Sequence, residues 1–221
     1  VSAVIPQKAG FAAFHVFGVR RPAAAGRLGA VLAEAVAERL PRRPGFVSAR
    51  VHRTTDDTRV VTRILWRDRK DHAAAVEDGV LPAALREGGR GPGNRPVVEF
   101  LGTPVPGITG PQEGEPPGVV AVATRHLRDG ASFHSLMGLL ERSEEWKRHH
   151  PGFIRATPYR GLDGVTFVNY PEWADEESYR AWMADPRLPR GQEEIARLEA
   201  ARPEYLLCTV TAHIDAEEVR A

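Results

Sequence analysis

The chain has 221 residues, 30 of them basic and 29 acidic, a formal net charge of +1 and one cysteine. This near-neutrality, with no basic stripe interleaved with aromatics, argues against a nucleic-acid partner. The lone Cys208 excludes an intrachain disulfide and a thiolate metal cluster. The first ten residues lack a charged n-region followed by an apolar stretch, and no apolar run reaches the roughly 18 residues that cross a bilayer, so a cytoplasmic protein without a membrane partner is expected.

Along the chain, Ala12 to Val19 predicts a strand that is apolar on both faces. Ala23 to Leu40 predicts a helix, because Leu28, Val31, Leu32, Ala35 and Val36 build one apolar stripe before Pro41 stops it. Phe46 to Arg53 and Arg59 to Leu65 predict a hairpin around a polar turn. Asp68 opens a second helix that runs to about Asp78. The glycine-rich Gly88 to Gly93 reads as a flexible loop, with neither the spacing nor the strand-to-helix context of a dinucleotide fingerprint. Pro96 to Gly102 is a fourth strand. Five prolines among glycines, from Pro104 to Pro117, make 104–117 a linker that no regular element should enter.

The pattern then restarts. Val119 to Leu127 predicts a strand, and Asp129 caps a helix with Phe133, Leu136, Met137 and Leu140 on one face. Phe153 to Arg160 and Val165 to Tyr170 form a second hairpin, and Asp175 caps a helix from Glu176 to Ala184. A short helix over Gln192 to Ala201 and a closing strand from Glu204 to Ala212, with Cys208 buried in it, complete the chain.

A constant offset of 107 positions carries Pro44-Gly45-Phe46 onto Pro151-Gly152-Phe153, Trp66 onto Trp173, Asp68 onto Asp175, Asp78 onto Asp185 and Leu81-Pro82 onto Leu188-Pro189. An offset held through turn, strand and helix residues alike marks an internal duplication. The halves, 11–103 and 118–214, each read βαββαβ, in which two helices cover one face of a four-stranded antiparallel sheet. The expected fold class is α+β: two ferredoxin-like halves fused as a pseudo-dimeric barrel.

A βαββαβ half with Pro-Gly-Phe ahead of its second strand and a Trp between its third strand and second helix resembles the antibiotic biosynthesis monooxygenase family. The sharpest part of the likeness is Asn169-x3-Trp173-x5-Tyr179. In the cofactor-independent anthrone and quinol monooxygenases of aromatic polyketide pathways, residues at this spacing take part in the reaction. The resemblance therefore implies Asn169 and Trp173 as donors holding a substrate oxygen and Tyr179 as a proton relay. It also implies dioxygen as co-substrate, a polycyclic aromatic substrate and no tightly bound cofactor. The tandem layout further resembles the small oxygenases that open the B ring of angucyclines, which bring in reduced flavin as a diffusible reductant.

The first half departs from the motif, with Thr62, Trp66 and His72 at the matching places. Its pocket either serves another substrate or has become scaffold, and the second pocket is the expected working one. Candidate substrate contacts are Trp66 and His72 in the first half and Phe167, Trp182 and Met183 in the second. Plainer readings stand beside these. Each Trp can be a wedge between sheet and helix, the adjacent His149 and His150 lack helical metal-pair spacing, and Arg155 and Arg160 read as solvated strand-edge charges in preference to anchors for a phenolate or a flavin phosphate. No nucleophile elbow, phosphate loop or His-Glu-x-x-His occurs. The reading is an oxygenase of antibiotic biosynthesis, against a non-redox polyketide cyclase or a non-catalytic small-molecule binder of the same fold. Pairing of two fused chains into a homodimer is left open.

Overall fold

The computed structural model describes residues 9–88 and 96–216. Residues 89–93 of the expected glycine-rich loop, and most of the ten N-terminal residues, lie outside them. The described residues form two compact units, one holding 9–102 together with 208–216, the other 103–207.

In the unit of the first repeat, the strands are β1 (Phe11–Gly18), β2 (Phe46–Thr54), β3 (Arg59–Trp66) and β4 (Pro96–Pro104), with helices α1 (Ala23–Arg39), α2 (Arg69–Glu77) and α3 (Val80–Gly88). The strand order is β4-β1-β3-β2, antiparallel throughout. Helix α1 packs Leu28, Leu32, Ala35 and Val36 against Phe17, Ala49, Val51, Val60 and Ile64, one alternate set of the strand residues. A fully buried Leu or Val of this kind contributes about 1.5–3 kcal/mol. Val31, expected on the buried stripe, is 40% exposed, at the margin of the face that Leu28, Leu32, Ala35 and Val36 bury.

The second repeat's unit contains β5 (Ile108–Thr109), β6 (Val119–His126), β7 (Phe153–Gly161) and β8 (Thr166–Trp173), with α4 (Gly130–Lys147), α5 (Glu176–Met183) and α6 (Leu188–Ala196). The order β6-β8-β7-β5 is again antiparallel. The final strand β9 (Glu204–Asp215) begins in this unit, and its residues Cys208–Asp215 pair with β2 from Thr54 to Ser48.

Three expectations are corrected. The proline-rich stretch is not free of regular structure: β4 runs on to Pro104, and Ile108 and Thr109 pair with Ala156 and Arg155. Proline is tolerated at such an edge because it need not donate there. Helix α3 was not foreseen, and α6 begins at Leu188 rather than Gln192. Both carry a Leu-Pro pair in their first turn, Leu81-Pro82 and Leu188-Pro189, where proline fits because its missing N–H would be unsatisfied anyway.

The repeated Pro-Gly-Phe has a structural cause. Gly45 and Gly152 have φ of +74° and +77°, and a side chain on either would collide with Asp71 or Ser178 of the following helix. Each glycine carbonyl accepts from the backbone just past the Trp: Arg67 N–H donates to Gly45 at 2.7 Å and Ala174 N–H to Gly152 at 2.8 Å. The turn therefore pins the strand end that carries Trp66 or Trp173. Asp68, Asp129 and Asp175 each cap a helix through their carboxylates, as expected. Hydrogen bonds donated by Asp71, Ser132 and Ser178 hold the three acids below the usual carboxylate range.

Candidate active site

Strand β8 presents Phe167, Asn169, Pro171 and Trp173, alternate residues on one face, to a cavity of about 120 Å³. Beside them on β6 stand Ala121 and Ala123, whose short side chains leave the space open; Ala123 pairs directly with Asn169. Helix α4 covers the face with Leu139, Leu140, Ser143, Trp146 and Lys147, a single helical stripe. Helix α5 adds Tyr179, Trp182 and Met183, and α6 adds Leu188, Gln192 and Ile195. Met183 and Tyr205 are 45% and 44% exposed, which marks the mouth.

Six of the eight candidate residues thus meet around one space: Asn169, Trp173, Tyr179, Phe167, Trp182 and Met183. The Trp173 ring lies 5.1 Å from Phe153, 5.8 Å from Trp182 and 6.1 Å from Tyr179, and Trp182 stacks on Trp146 at 4.3 Å. Trp173 is fully buried, and its indole N–H has no hydrogen-bond partner among the described residues. A buried donor of this kind is costly unless something completes it. The half-buried Asn169 amide also has no hydrogen bond to a described residue, and it borders a smaller adjoining cavity of about 20 Å³ as well. Burial, reinforced by Tyr205, pushes the Tyr179 phenol above its ordinary value, so at neutral pH it is a donor and not a base.

Trp66 and His72 lie elsewhere, in the core of the first-repeat unit with Leu81 and Ala84 of α3. Their rings are 6.0 Å apart, and the Trp66 indole N–H and His72 Nε2 have no hydrogen-bond partner among the described residues. Burial, then the neighbouring His15, lowers the His72 pKa, which favours the neutral ring. Thr62, at the place of Asn169, pairs with His15, whose Nδ1 lies 3.2 Å from its hydroxyl. Where the second repeat has the methyl of Ala123, the first has an imidazole filling the same position of its own sheet.

Sequence reasoning missed the polar wall. Arg125 of β6 is buried in an ion pair with Glu199 and also donates to Gln192 at 3.2 Å and to the Tyr205 hydroxyl at 2.7 Å. Arg187 pairs with Asp185 at 2.6 and 2.9 Å and lies over the Trp146 ring. Lys147 places its Nζ 5.1 Å from the Phe153 ring and 5.3 Å from that of Trp182. Arg155, expected in solvent, instead makes a buried two-bond pair with Glu172 at 2.8 and 3.0 Å, because a register slip between Phe153 and Arg155 sets it opposite Glu172. Arg160 lies over the Phe133 ring at 4.5 Å. His150 packs edge-on against Trp173 and Trp182, and Cys208 is buried, its thiol pushed up to about 12 by burial. Among the described residues no helix is long and apolar enough to cross a membrane.

A tandem of ferredoxin-like halves, one of which encloses an aromatic-lined cavity with a few polar groups at its edge, has the architecture of a small-molecule enzyme. Comparison with known proteins makes this specific. Over 94 residues the chain is 37% identical to the tetracenomycin-F1 monooxygenase of Streptomyces glaucescens, covering 42% of this chain and 75% of that one. An anthrone oxidase-like protein of known structure superposes with a TM-score of 0.79 at 16% identity, covering 99% of this chain and 97% of its own. A Fusobacterium nucleatum protein proposed to be a monooxygenase gives a TM-score of 0.67 at 8% identity, over 95% of both chains. These two likenesses extend over both repeats and show the fold class expected from the sequence. No family model matches the chain. The chain belongs to the antibiotic biosynthesis monooxygenase family, and it is a monooxygenase of that type.

Proposed function

We propose that this monooxygenase oxidises a polycyclic aromatic polyketide intermediate of an antibiotic pathway, with dioxygen as co-substrate and the second-repeat cavity as its active site. The observation that carries the reading is the buried Trp173 indole N–H, without a partner among the described residues, beside Asn169 at one aromatic-lined cavity. The substrate class follows the family and the tetracenomycin-F1 monooxygenase relative.

An anthrone-type substrate loses a proton to become an electron-rich anion, which passes an electron to dioxygen. Recombination forms a carbon–oxygen bond, and loss of water leaves the quinone. A methylene and one dioxygen become a carbonyl and one water, so the reaction balances without another reductant. Trp173 and Asn169 donate to the oxygen on which charge develops, in a site from which aromatic walls exclude water. Tyr179, held as a phenol, supplies and recovers a proton during loss of water.

Replacing Trp173 by Phe keeps the ring packing and deletes the donor. It should lower kcat on the order of a hundredfold with little change in substrate binding. Unchanged turnover would remove the donor role. Assays with and without enzymatically reduced flavin separate the two oxidative modes: product without flavin supports the cofactor-independent reaction, and product only with flavin supports the ring-opening type.

A further inference from the structure

Three cations line the cavity, and two of them are spoken for. Arg125 is saturated by Glu199, Gln192 and Tyr205, and Arg187 is bound by Asp185. Lys147 is different. It is only 9% exposed, borders both the main cavity and the smaller one next to Asn169, and makes neither an ion pair nor a hydrogen bond to a described residue. Its neighbours are two ring faces, Phe153 and Trp182, which stabilise a cation but provide no counter-charge. The charged and titratable groups around it are Glu144 one turn back on α4, which pairs with Arg148 at 3.8 Å, His150 against the Trp182 ring, Tyr179 on α5, Tyr205 on β9, the bound Arg187 just before α6, and the bound Arg125 on β6. The Glu144 carboxylate acts on Lys147 only at a distance and does not offset its burial, so the ammonium remains costly and an anionic ligand in direct contact would relieve that cost.

We propose that Lys147 is the anion-holding residue of this cavity: its ammonium meets the phenolate or enolate oxygen of the ionised substrate, so that the site selects polycyclic aromatics bearing an acidic hydroxyl or enolisable carbonyl over their O-alkylated analogues. This rests on the reading of the cavity as an aromatic-substrate site and assigns the feature of the substrate that is recognised. It also gives the anion required for electron transfer to dioxygen a partner that forms before oxygen reacts. Burial holds the Lys147 ammonium down at about 8, so the charge is still present at neutral pH.

The test uses 2-hydroxyanthraquinone, a dye already at the quinone oxidation level whose colour reports ionisation, with 2-methoxyanthraquinone as the probe that cannot ionise. Bound to the wild-type protein, the hydroxy dye should ionise at a pH lower by at least one unit, a tenfold larger ionisation constant. In Lys147→Met and Lys147→Gln that shift should vanish, while the methoxy probe binds all three proteins within about twofold, which shows that the cavity is intact. Equal ionisation of the dye in wild type and both variants overturns the proposal, as does failure of the wild type to bind either probe. Oxygen uptake is measured separately with an anthrone. A lost shift without any wild-type uptake leaves the anion site standing and removes the oxygenase reading; uptake with an unaltered shift does the reverse.

Discussion

Lys147 and Tyr179 are both displaced by burial, with opposite consequences. For Lys147 the folded-state value of about 8 lies below the 10.5 of an unhindered lysine, so the folded protein binds its proton less tightly than the unfolded chain does. Below pH 8 both states are charged and folding bears the full desolvation cost. As pH rises from about 8 towards 10.5 the folded state loses the proton first and the cost fades. Lys147→Met should therefore be more stable than wild type at pH 7, by about 3 kcal/mol, and thermal unfolding should show that advantage shrinking across this window. An advantage that is constant with pH would show that the ammonium is solvated. Tyr179 is raised, so it remains a phenol throughout the neutral range. Tyr179→Phe should lower kcat and leave KM nearly unchanged, and the pH–rate profile of the wild type should show no limb from this phenol below pH 10.

At the scale of elements, β8 serves two purposes at once. Phe167, Asn169 and Trp173 line the cavity, whereas Glu172, fully buried, holds Arg155 of β7. Arg155→Met alone takes two charged hydrogen bonds from the buried Glu172 carboxylate and should cost about 3 kcal/mol in chemical denaturation, whereas the double change Arg155→Met with Glu172→Met should cost less than the sum of the two single changes. A double-variant loss equal to that sum would show that the pair is not what holds the strands together. The pair also shows what sequence can and cannot convey. Alternation along β8 was readable, and so were the caps Asp68, Asp129 and Asp175, because both depend on local spacing. The bulge that turns Arg155 toward Glu172 depends on how β7 and β8 align, and nothing in either strand alone announces it. Lys147 did leave a trace: it continues the α4 stripe of Phe133, Leu136 and Leu140, so a cation occupied a position that periodicity assigns to the core. Helices α3 and α6 left a trace too, in the repeated Leu-Pro pairs.

Across the whole molecule, duplication sets the plan and divergence decides where the chemistry goes. Both repeats keep the strained glycine turn and the Trp it pins, so Trp66 and Trp173 share a structural reason to exist. Sequence alone told them apart only through their company, Asn169 and Tyr179 beside Trp173 against Thr62 and His72 beside Trp66. What separates them is their surroundings: His15 fills the position of its sheet that Ala123 leaves open in the other, and α3 packs Leu81 and Ala84 near Trp66 and His72. The central claim, a monooxygenase whose second-repeat cavity oxidises a polycyclic aromatic, is tested most directly by dioxygen consumption. Purified, metal-stripped protein would be assayed with an anthrone, with oxygen uptake and quinone formation followed together for the wild type and for Trp173→Phe. The account predicts one dioxygen consumed per quinone formed, at a rate that collapses in the variant. Saturable binding of the anthrone with no uptake above the uncatalysed rate, across a panel of such compounds and with reduced flavin supplied, would contradict it.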